Sequence, residues 1–243
     1  MKGCYVADLF SGVGGVARAI RRTGFAAREF DVANGPEGDL TKRSVWRGIV
    51  SDVRRGLVLG AMLAPPCASF SPARDRTGAL RSRDFPMGLP NLSEPDRLRV
   101  ESGNACLEAA VKLLNVFHSA GLPWILENPH ASKMWWHPRL EQLHSDSRVT
   151  VVVADFCQFN RPWRKRTRFL CGNINPDYLC RLTKRCEGKG GLCSATGLRH
   201  FVLKGNSPEG VAWTRIAQPY PSQLSYALAY ALTAAARATF YKV

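Results

Sequence analysis

Tyr5-Val6-Ala7-Asp8-Leu9-Phe10-Ser11-Gly12-Val13-Gly14-Gly15-Val16 is the stretch on which the fold turns. Tyr5 to Phe10 reads as a short buried strand, Ser11 to Gly15 as a tight turn, and Val16 to Arg22 as an amphipathic helix. A strand, a glycine turn and a helix in that order build a site for a nucleotide-like cofactor, because residues without a Cβ let the backbone approach a ligand closely. On this stretch alone a dinucleotide is a fair rival ligand.

Working outward, Ala26 to Phe30 is a second strand that ends in acid at Glu29 and Asp31, where a carboxylate reaches ribose hydroxyls. Leu57 to Leu63 is a third apolar run, stopped by Pro65-Pro66. Ala105 to Phe117 carries apolar residues at helical spacing and leads into the strand Trp124-Ile125-Leu126; Val149 to Ala154 is β-branched and continuous, hence buried. Ser222 to Ala236 is a closing helix. Strands alternating with helices predict an α/β, Rossmann-like fold: a mixed, mostly parallel sheet with helices on both faces. Two stretches break the pattern. Pro72 to Ser93 reads as a mobile surface loop, and Cys171 to Gly210 as a small Cys-rich insertion with little core of its own. The expected division is a catalytic core over 1–170, a basic insertion over 171–212, and a C-terminal helix over 213–243 that completes the core.

The charge narrows the partners. Thirty-four Lys and Arg against 19 Asp and Glu leave +15, which suits a polyanion, since every neutralised phosphate releases counterions. No run approaches a membrane span and none resembles a leader peptide. Eight dispersed cysteines, several in apolar segments, point to a reducing intracellular compartment, nuclear or cytoplasmic, rather than to a disulfide framework. A monomer is the expected state.

Asp8-Leu9-Phe10-Ser11-Gly12-Val13-Gly14-Gly15 resembles the first motif of the cytosine carbon-5 methyltransferases, Asp-Leu-Phe-x-Gly-x-Gly-Gly. Glu29-Phe30-Asp31 and Gly38-Asp39-Leu40 resemble that family's next cofactor elements. The resemblance implies S-adenosylmethionine as cofactor, with Glu29 on its ribose, Asp39 by its adenine and Phe10 nearby. The implied cofactor set is Asp8, Phe10, Ser11, Gly12, Gly14, Gly15, Glu29, Phe30, Asp39, Leu40 and Pro65.

Ala64-Pro65-Pro66-Cys67-Ala68-Ser69-Phe70-Ser71 is similar to the family's Pro-Cys-x-x-Phe-Ser. Carbon 5 of cytosine is a poor nucleophile until a thiolate adds at carbon 6, so a cysteine at the carboxyl end of a strand suits that chemistry. Attack puts charge on the ring, and an acid must meet N3. Glu127-Asn128-Pro129 resembles the family's Glu-Asn-Val and supplies one. Arg164-Lys165-Arg166-Thr167-Arg168 resembles Gln-x-Arg-x-Arg, with Arg164 in place of the Gln. It implies Arg166 as the contact to cytosine O2, with Arg168 in support. Gln218-Pro219-Tyr220-Pro221-Ser222-Gln223-Leu224 is similar to the final motif, whose helix returns to the cofactor pocket. Amino-group methyltransferases are the chemical rival, but Ala64 and Cys67 do not fit their Pro-Pro motif.

The resemblance implies a target-recognition region in the segment after Phe169, which is short here, so that base recognition is expected to be compressed, supplied by a partner or loosely sequence-specific. That segment holds Cys180-x5-Cys186-x6-Cys193-x6-His200, a candidate structural zinc set, with unligated cysteines as the alternative. Ser69, Ser71, Arg74, Arg76, Arg81, Arg83, Arg164, Lys184 and Arg185 are candidate nucleic-acid contacts, with Lys189 and Arg199 near the cysteines. The expected substrate is DNA, presented as a flipped-out base. Methylation of transfer RNA, or a silent nucleic-acid-binding module, is the alternative.

Overall fold

A computed structural model describes residues 3–76 and 78–240; the side chains of Arg74 and Arg76, two of the expected phosphate contacts, lie outside the described residues. Six strands form one sheet in the order β2-β1-β3-β4-β6-β5: β1 (Tyr5–Leu9), β2 (Ala27–Phe30), β3 (Val58–Leu63), β4 (Trp124–Pro129), β5 (Val149–Asp155) and β6 (Arg166–Gly172). Strands β2, β1, β3 and β4 are mutually parallel, and β6 runs antiparallel between β4 and β5. The chain leaves β1 toward β2 and returns on the other side as β3. The switch point, where open α/β sheets bind ligands, therefore lies beyond the carboxyl ends of β1 and β3. The fold is Rossmann-like.

The central strands β1 and β3 are buried along their whole length, as parallel strands covered on both faces must be. On one face lie α1 (Gly15–Arg22) and α6 (Ser222–Phe240). Val16 and Ile20 of α1 and Leu224, Leu228 and Leu232 of α6 pack there with Val6, Met62 and Ile125. The leucine spacing of four, with Ala227, Ala231 and Ala235 filling the stripe, is why the Ala-rich end folds onto the sheet as a helix. On the other face α2 (Arg43–Arg54), α3 (Glu94–Ser119) and α4 (Pro138–His144) cover Ala7, Leu9, Leu63 and Leu126.

The third helix is longer than its apolar periodicity announces. Pro95 in its first turn and the acids Glu94 and Asp96 at its positive end start it well before Ala105, and Ser102, Gly103 and Asn104 interrupt the hydrophobic pattern. Gly103 has a packing reason: a Cβ there would run into Ser69 Oγ of the loop after β3. From Asn173 to Ala212 the described chain holds one short 3-10 helix, Pro176–Leu179, and two isolated bridges, followed by the four-residue α5 (Trp213–Ile216). Among the described residues no helix is long and apolar enough to cross a membrane.

Candidate active site

Two loops meet at the carboxyl edge of the sheet. After β1 the chain turns through three left-handed residues, Phe10 (φ +57°), Gly12 (+54°) and Gly14 (+65°). The glycines adopt this conformation freely. Phe10 has no such freedom and is held by its N–H, which donates to the Phe30 carbonyl at 2.8 Å. Asp8, at the end of β1, accepts the Ala17 N–H at 2.9 Å and so fixes the first turn of α1. Burial, foremost, pushes its carboxyl up to about 7.

The loop after β2 closes on this turn. Gly12 N–H donates to Asp31 Oδ2 at 2.8 Å while Asp31 Oδ1 accepts the Ala33 N–H. Asp39 accepts from both the N–H and the hydroxyl of Thr41, which holds its carboxyl below the ordinary value. The Cys106 thiol of α3 is pushed up by burial, foremost, and by the nearby carboxylates of Asp39 and Asp31. Phe30 and Leu40 are core residues. Ser11 Oγ is buried without a hydrogen-bond partner. The structure sets Glu29 against the bare Cα of Gly14, in an ion pair with Arg21 at 2.8 Å, so its carboxylate is already engaged.

Beyond β3, the Pro65 carbonyl accepts from Asn128 Nδ2 at 2.9 Å, which ties the Pro-Pro-Cys turn to β4. Cys67 is partly buried. Burial and the neighbouring Glu127 push its thiol up, against the pull of Lys165. Glu127 sits inside β4, only 6% exposed. Its Oε2 accepts the Tyr220 hydroxyl at 2.7 Å, and its Oε1 is buried with no partner. Burial raises the Glu127 carboxyl, with Lys165 and the Tyr220 hydrogen bond opposing. Tyr220 is raised in turn, by burial and by Glu127.

The cation beside this pair is Lys165, whose Nζ donates to the carbonyls of Ala217 (3.3 Å) and Gln218 (3.5 Å) and lies 4.7 Å from the Phe156 ring centroid. The two arginines expected near cytosine O2 are placed differently. In the antiparallel pairing Glu127 faces Phe169, and Asn128 faces Arg168. Side chains alternate along a strand, so Arg166 and Arg168 lie on the face opposite Glu127. Arg166 grips the fully buried Asp155 through two bonds of 3.0 and 2.9 Å. Burial by itself would raise Asp155. The bonds from Arg166 and the Cys186 N–H, with Arg164 beside them, outweigh it and hold the carboxyl below its ordinary value. Arg164 also donates to the Cys186 carbonyl at 2.9 Å. Arg168 lies over the Trp135 ring and borders a hollow of about 470 Å³ shared with Arg83, His130 and Glu141.

The loop after Cys67 is not wholly the mobile, phosphate-facing segment its composition suggests. Arg81 is 1% exposed. It donates to Ser69 O and Oγ, Pro86 O, Val100 O and Asn104 Oδ1, and stacks 3.8 Å from the Phe70 ring centroid. Burial holds its guanidinium down to about 10. Arg81 is thus corrected from a phosphate contact to the internal brace of the loop, and the buried Ser69 is one of its acceptors. Lys133 pins the same loop through Asp75 at 2.6 Å and the Arg81 carbonyl at 2.8 Å. Ser71 Oγ accepts the Ala73 N–H, and Arg83 is exposed in an ion pair with Glu141. Lys184 and Arg185 are exposed.

The expected metal set also needs one correction. Cys180 is exposed beyond the turn at Pro176–Leu179 and lies outside the cluster, whereas Cys157, from the turn after β5, joins Cys186, Cys193 and His200. The reason is Asp155: its carboxylate binds the Cys186 N–H at 2.8 Å and draws that residue to the end of β5 rather than to its sequence neighbour. Sequence spacing missed Lys165, Asp155 and Tyr220 as candidate site residues, and favoured Glu29 over Asp31. Lys165 and Tyr220 lay within the quoted stretches, but the side of the sheet that Lys165 and Asp155 face is set by where β5 and β6 begin and end.

No protein-family model matches the chain, and no curated protein matches it. Among solved structures it is matched with the S. pombe Dnmt2 methyltransferase at 14% identity and a TM-score of 0.41, over 77% of this chain and 56% of that one. It is also matched with the Entamoeba histolytica methyltransferase EhMeth at 11% identity and a TM-score of 0.40, over 99% of this chain and 98% of that one. The chain therefore spans just over half the length of the first of these structures.

Proposed function

We propose that this chain is an S-adenosylmethionine-dependent methyltransferase acting on carbon 5 of cytosine in nucleic acid, with DNA as the substrate ahead of RNA. One observation carries the reading: at the carboxyl ends of adjacent strands a partly exposed thiol, Cys67, shares its surroundings with a buried Glu127 whose Oε1 has no hydrogen-bond partner. A buried carboxylate oxygen left unpaired is costly, and a base edge offering an amino group or a protonatable ring nitrogen would satisfy it.

The cleft after β1 fits the cofactor. The left-handed turn at Gly12 and Gly14 exposes backbone, Ser11 Oγ is a buried group in need of a partner, and Asp31 and Asp39 supply carboxylates. Glu29, paired with Arg21, would have to exchange that partner to reach a ribose. When bound, the cofactor supplies an electrophilic methyl group at the switch point.

The chain's own residues do the rest. Cys67 Sγ, as the thiolate, bonds to carbon 6 and makes carbon 5 electron-rich. Glu127 delivers a proton to N3 from a carboxyl that burial has raised, while Tyr220 engages its Oε2 and leaves Oε1 free for the base. Lys165 supplies the positive charge that both Cys67 and Glu127 feel, in place of the Arg166 contact inferred from motif spacing. With carbon 5 methylated, its proton passes to solvent, N3 returns its proton to Glu127, and the sulfur–carbon bond breaks to free the thiolate.

The test is methyl transfer from labelled S-adenosylmethionine to DNA and, in parallel, to RNA, alongside Cys67→Ser. Label on cytosine carbon 5 that disappears in the variant supports the reading, and the better acceptor decides between the nucleic acids. Label persisting in Cys67→Ser, or no covalent retention of any 5-fluorocytosine oligonucleotide by the unaltered chain, overturns it. Transfer to neither nucleic acid, with nucleic-acid binding intact, favours a silent binding module.

A further inference from the structure

Away from the cofactor cleft the fold gathers a second set of reactive side chains. The sulfurs of Cys157, Cys186 and Cys193 and a ring nitrogen of His200 all lie within 4.8 Å of one another. The three cysteines are buried, at 2–5% exposure, and form a cluster separate from both apolar cores. Cys157 belongs to the catalytic layer, in the turn directly after β5; the other three come from the segment after β6.

The backbone around these atoms is arranged for thiolates. Cys186 Sγ accepts the Ser194 N–H at 3.4 Å and the Ser194 hydroxyl at 3.6 Å, and it lies 3.6 Å from His200 Nε2. Gln158 Nε2 approaches Cys157 Sγ at 3.6 Å and Cys193 Sγ at 3.8 Å. Three sulfurs and one imidazole nitrogen are thus crowded about one point, at a spacing that lets a single ion reach all four.

The donor set decides which ion. Three sulfurs and one imidazole, with no carboxylate oxygen among them, make the closed four-ligand set of a structural zinc site and suit neither magnesium nor calcium. The surrounding segment also needs a staple. Ile174, Leu179 and Leu182 anchor its beginning in the core, but beyond them, up to Ile216, the buried hydrophobic residues are Cys186 and Cys193, while Leu192, Leu198, Phe201, Val202 and Val211 are exposed; small units without a core are commonly held by a metal.

We propose that Cys157, Cys186, Cys193 and His200 bind one structural zinc ion that fastens the segment after β6 to the end of β5. Binding displaces the thiol protons to solvent and leaves the zinc held by three thiolates and a neutral imidazole. The ion would stand next to Asp155, which already joins the Cys186 N–H to Arg166 and Arg164. It would thereby fix the exposed Lys184 and Arg185 relative to the active-site edge, without touching the reaction.

The experiment is elemental analysis of the full chain, purified without added metal and without a polyhistidine tag. One zinc per chain is expected, retained in Cys180→Ser and lost in Cys157→Ser, Cys193→Ser and His200→Ala. If those variants do not fold, cobalt exchanged into the unaltered chain gives the readout: intense visible bands with thiolate-to-metal charge transfer mark tetrahedral sulfur ligation. Near-zero metal, zinc lost from Cys180→Ser but kept by Cys157→Ser, a weak octahedral cobalt spectrum, or a disulfide among these cysteines in the purified chain would each overturn the proposal. None of these readouts depends on methyl transfer.

Discussion

Glu127 and Asp8 carry unlike burdens within one site. Glu127 is held by Tyr220 on one oxygen and left open on the other, so Glu127→Gln keeps the shape and removes the acid. Turnover of that variant should fall by roughly 10²–10⁴-fold, the usual worth of a placed general acid, with cofactor affinity unchanged in a calorimetric titration. A variant with ordinary turnover would remove Glu127 from the mechanism. Asp8 makes a stability prediction. Its carboxyl is raised from 3.8 to about 7 by burial, so the folded chain keeps a proton that the unfolded chain gives up across that window. Its contribution is fully present below the unfolded value and is lost as pH rises through the folded one. Asp8→Asn keeps an acceptor for the Ala17 N–H and abolishes this loss. The Tm of the variant relative to the parent should climb between pH 4 and pH 7, and parallel curves would contradict the assignment. The acid itself is plain in the sequence, whereas its burial against α1 is not.

At the scale of elements, the helix α3 and the loop after β3 are fitted to each other. Gly103 lies where α3 passes Ser69 and Arg81, and an added Cβ would collide with Ser69 Oγ. Alanine would gain about 1 kcal/mol in helix propensity, but overpacking costs about 1–3 kcal/mol. Gly103→Ala should therefore lower the urea midpoint, whereas Ser102→Ala, on the exposed side of the same helix, should hold or raise it. Arg81→Met removes the donors that satisfy Ser69, Pro86, Val100 and Asn104. At about 1 kcal/mol for each lost bond, it should cost about 3 kcal/mol or more in equilibrium unfolding, and it should slow methyl transfer by loosening the loop that carries Cys67. An Arg in a Pro-, Gly- and Ser-rich segment reads as a surface group. Only the packing of α3 against Phe70 and Ser69 turns Arg81 inward, which is why composition misjudged both it and the loop.

For the whole molecule, the excess of +15 predicts binding to nucleic acid that weakens steeply with salt. Each duplex phosphate contacted contributes a slope of about −0.9 in log K against log salt. Replacing Lys184 and Arg185 together by Gln should reduce the magnitude of that slope by about 2, read by fluorescence anisotropy across a salt series. Cys67→Ser, which carries no phosphate-facing charge, should leave it unchanged. An unaltered slope in the double variant would place the nucleic acid elsewhere.

Apart from β6 and the helices α2, α4 and α5, the sequence by itself determined the order of strands and helices, the glycine turn after β1, and the positions of Cys67 after β3 and Glu127 within β4. All of these depend on local periodicity and on residues such as glycine and proline whose backbone preferences are intrinsic. Only the tertiary structure decided which charges meet. Lys165 rather than Arg166 is the cation close enough to act on Cys67 and Glu127, because β6 begins at Arg166 and alternation sends that side chain to Asp155. Cys157 rather than Cys180 joins the cluster of Cys186, Cys193 and His200, because the same Asp155 captures the Cys186 N–H. Both outcomes rest on pairings between segments distant in the chain. Spacing along one segment carries no information about the side of the sheet on which another segment will arrive.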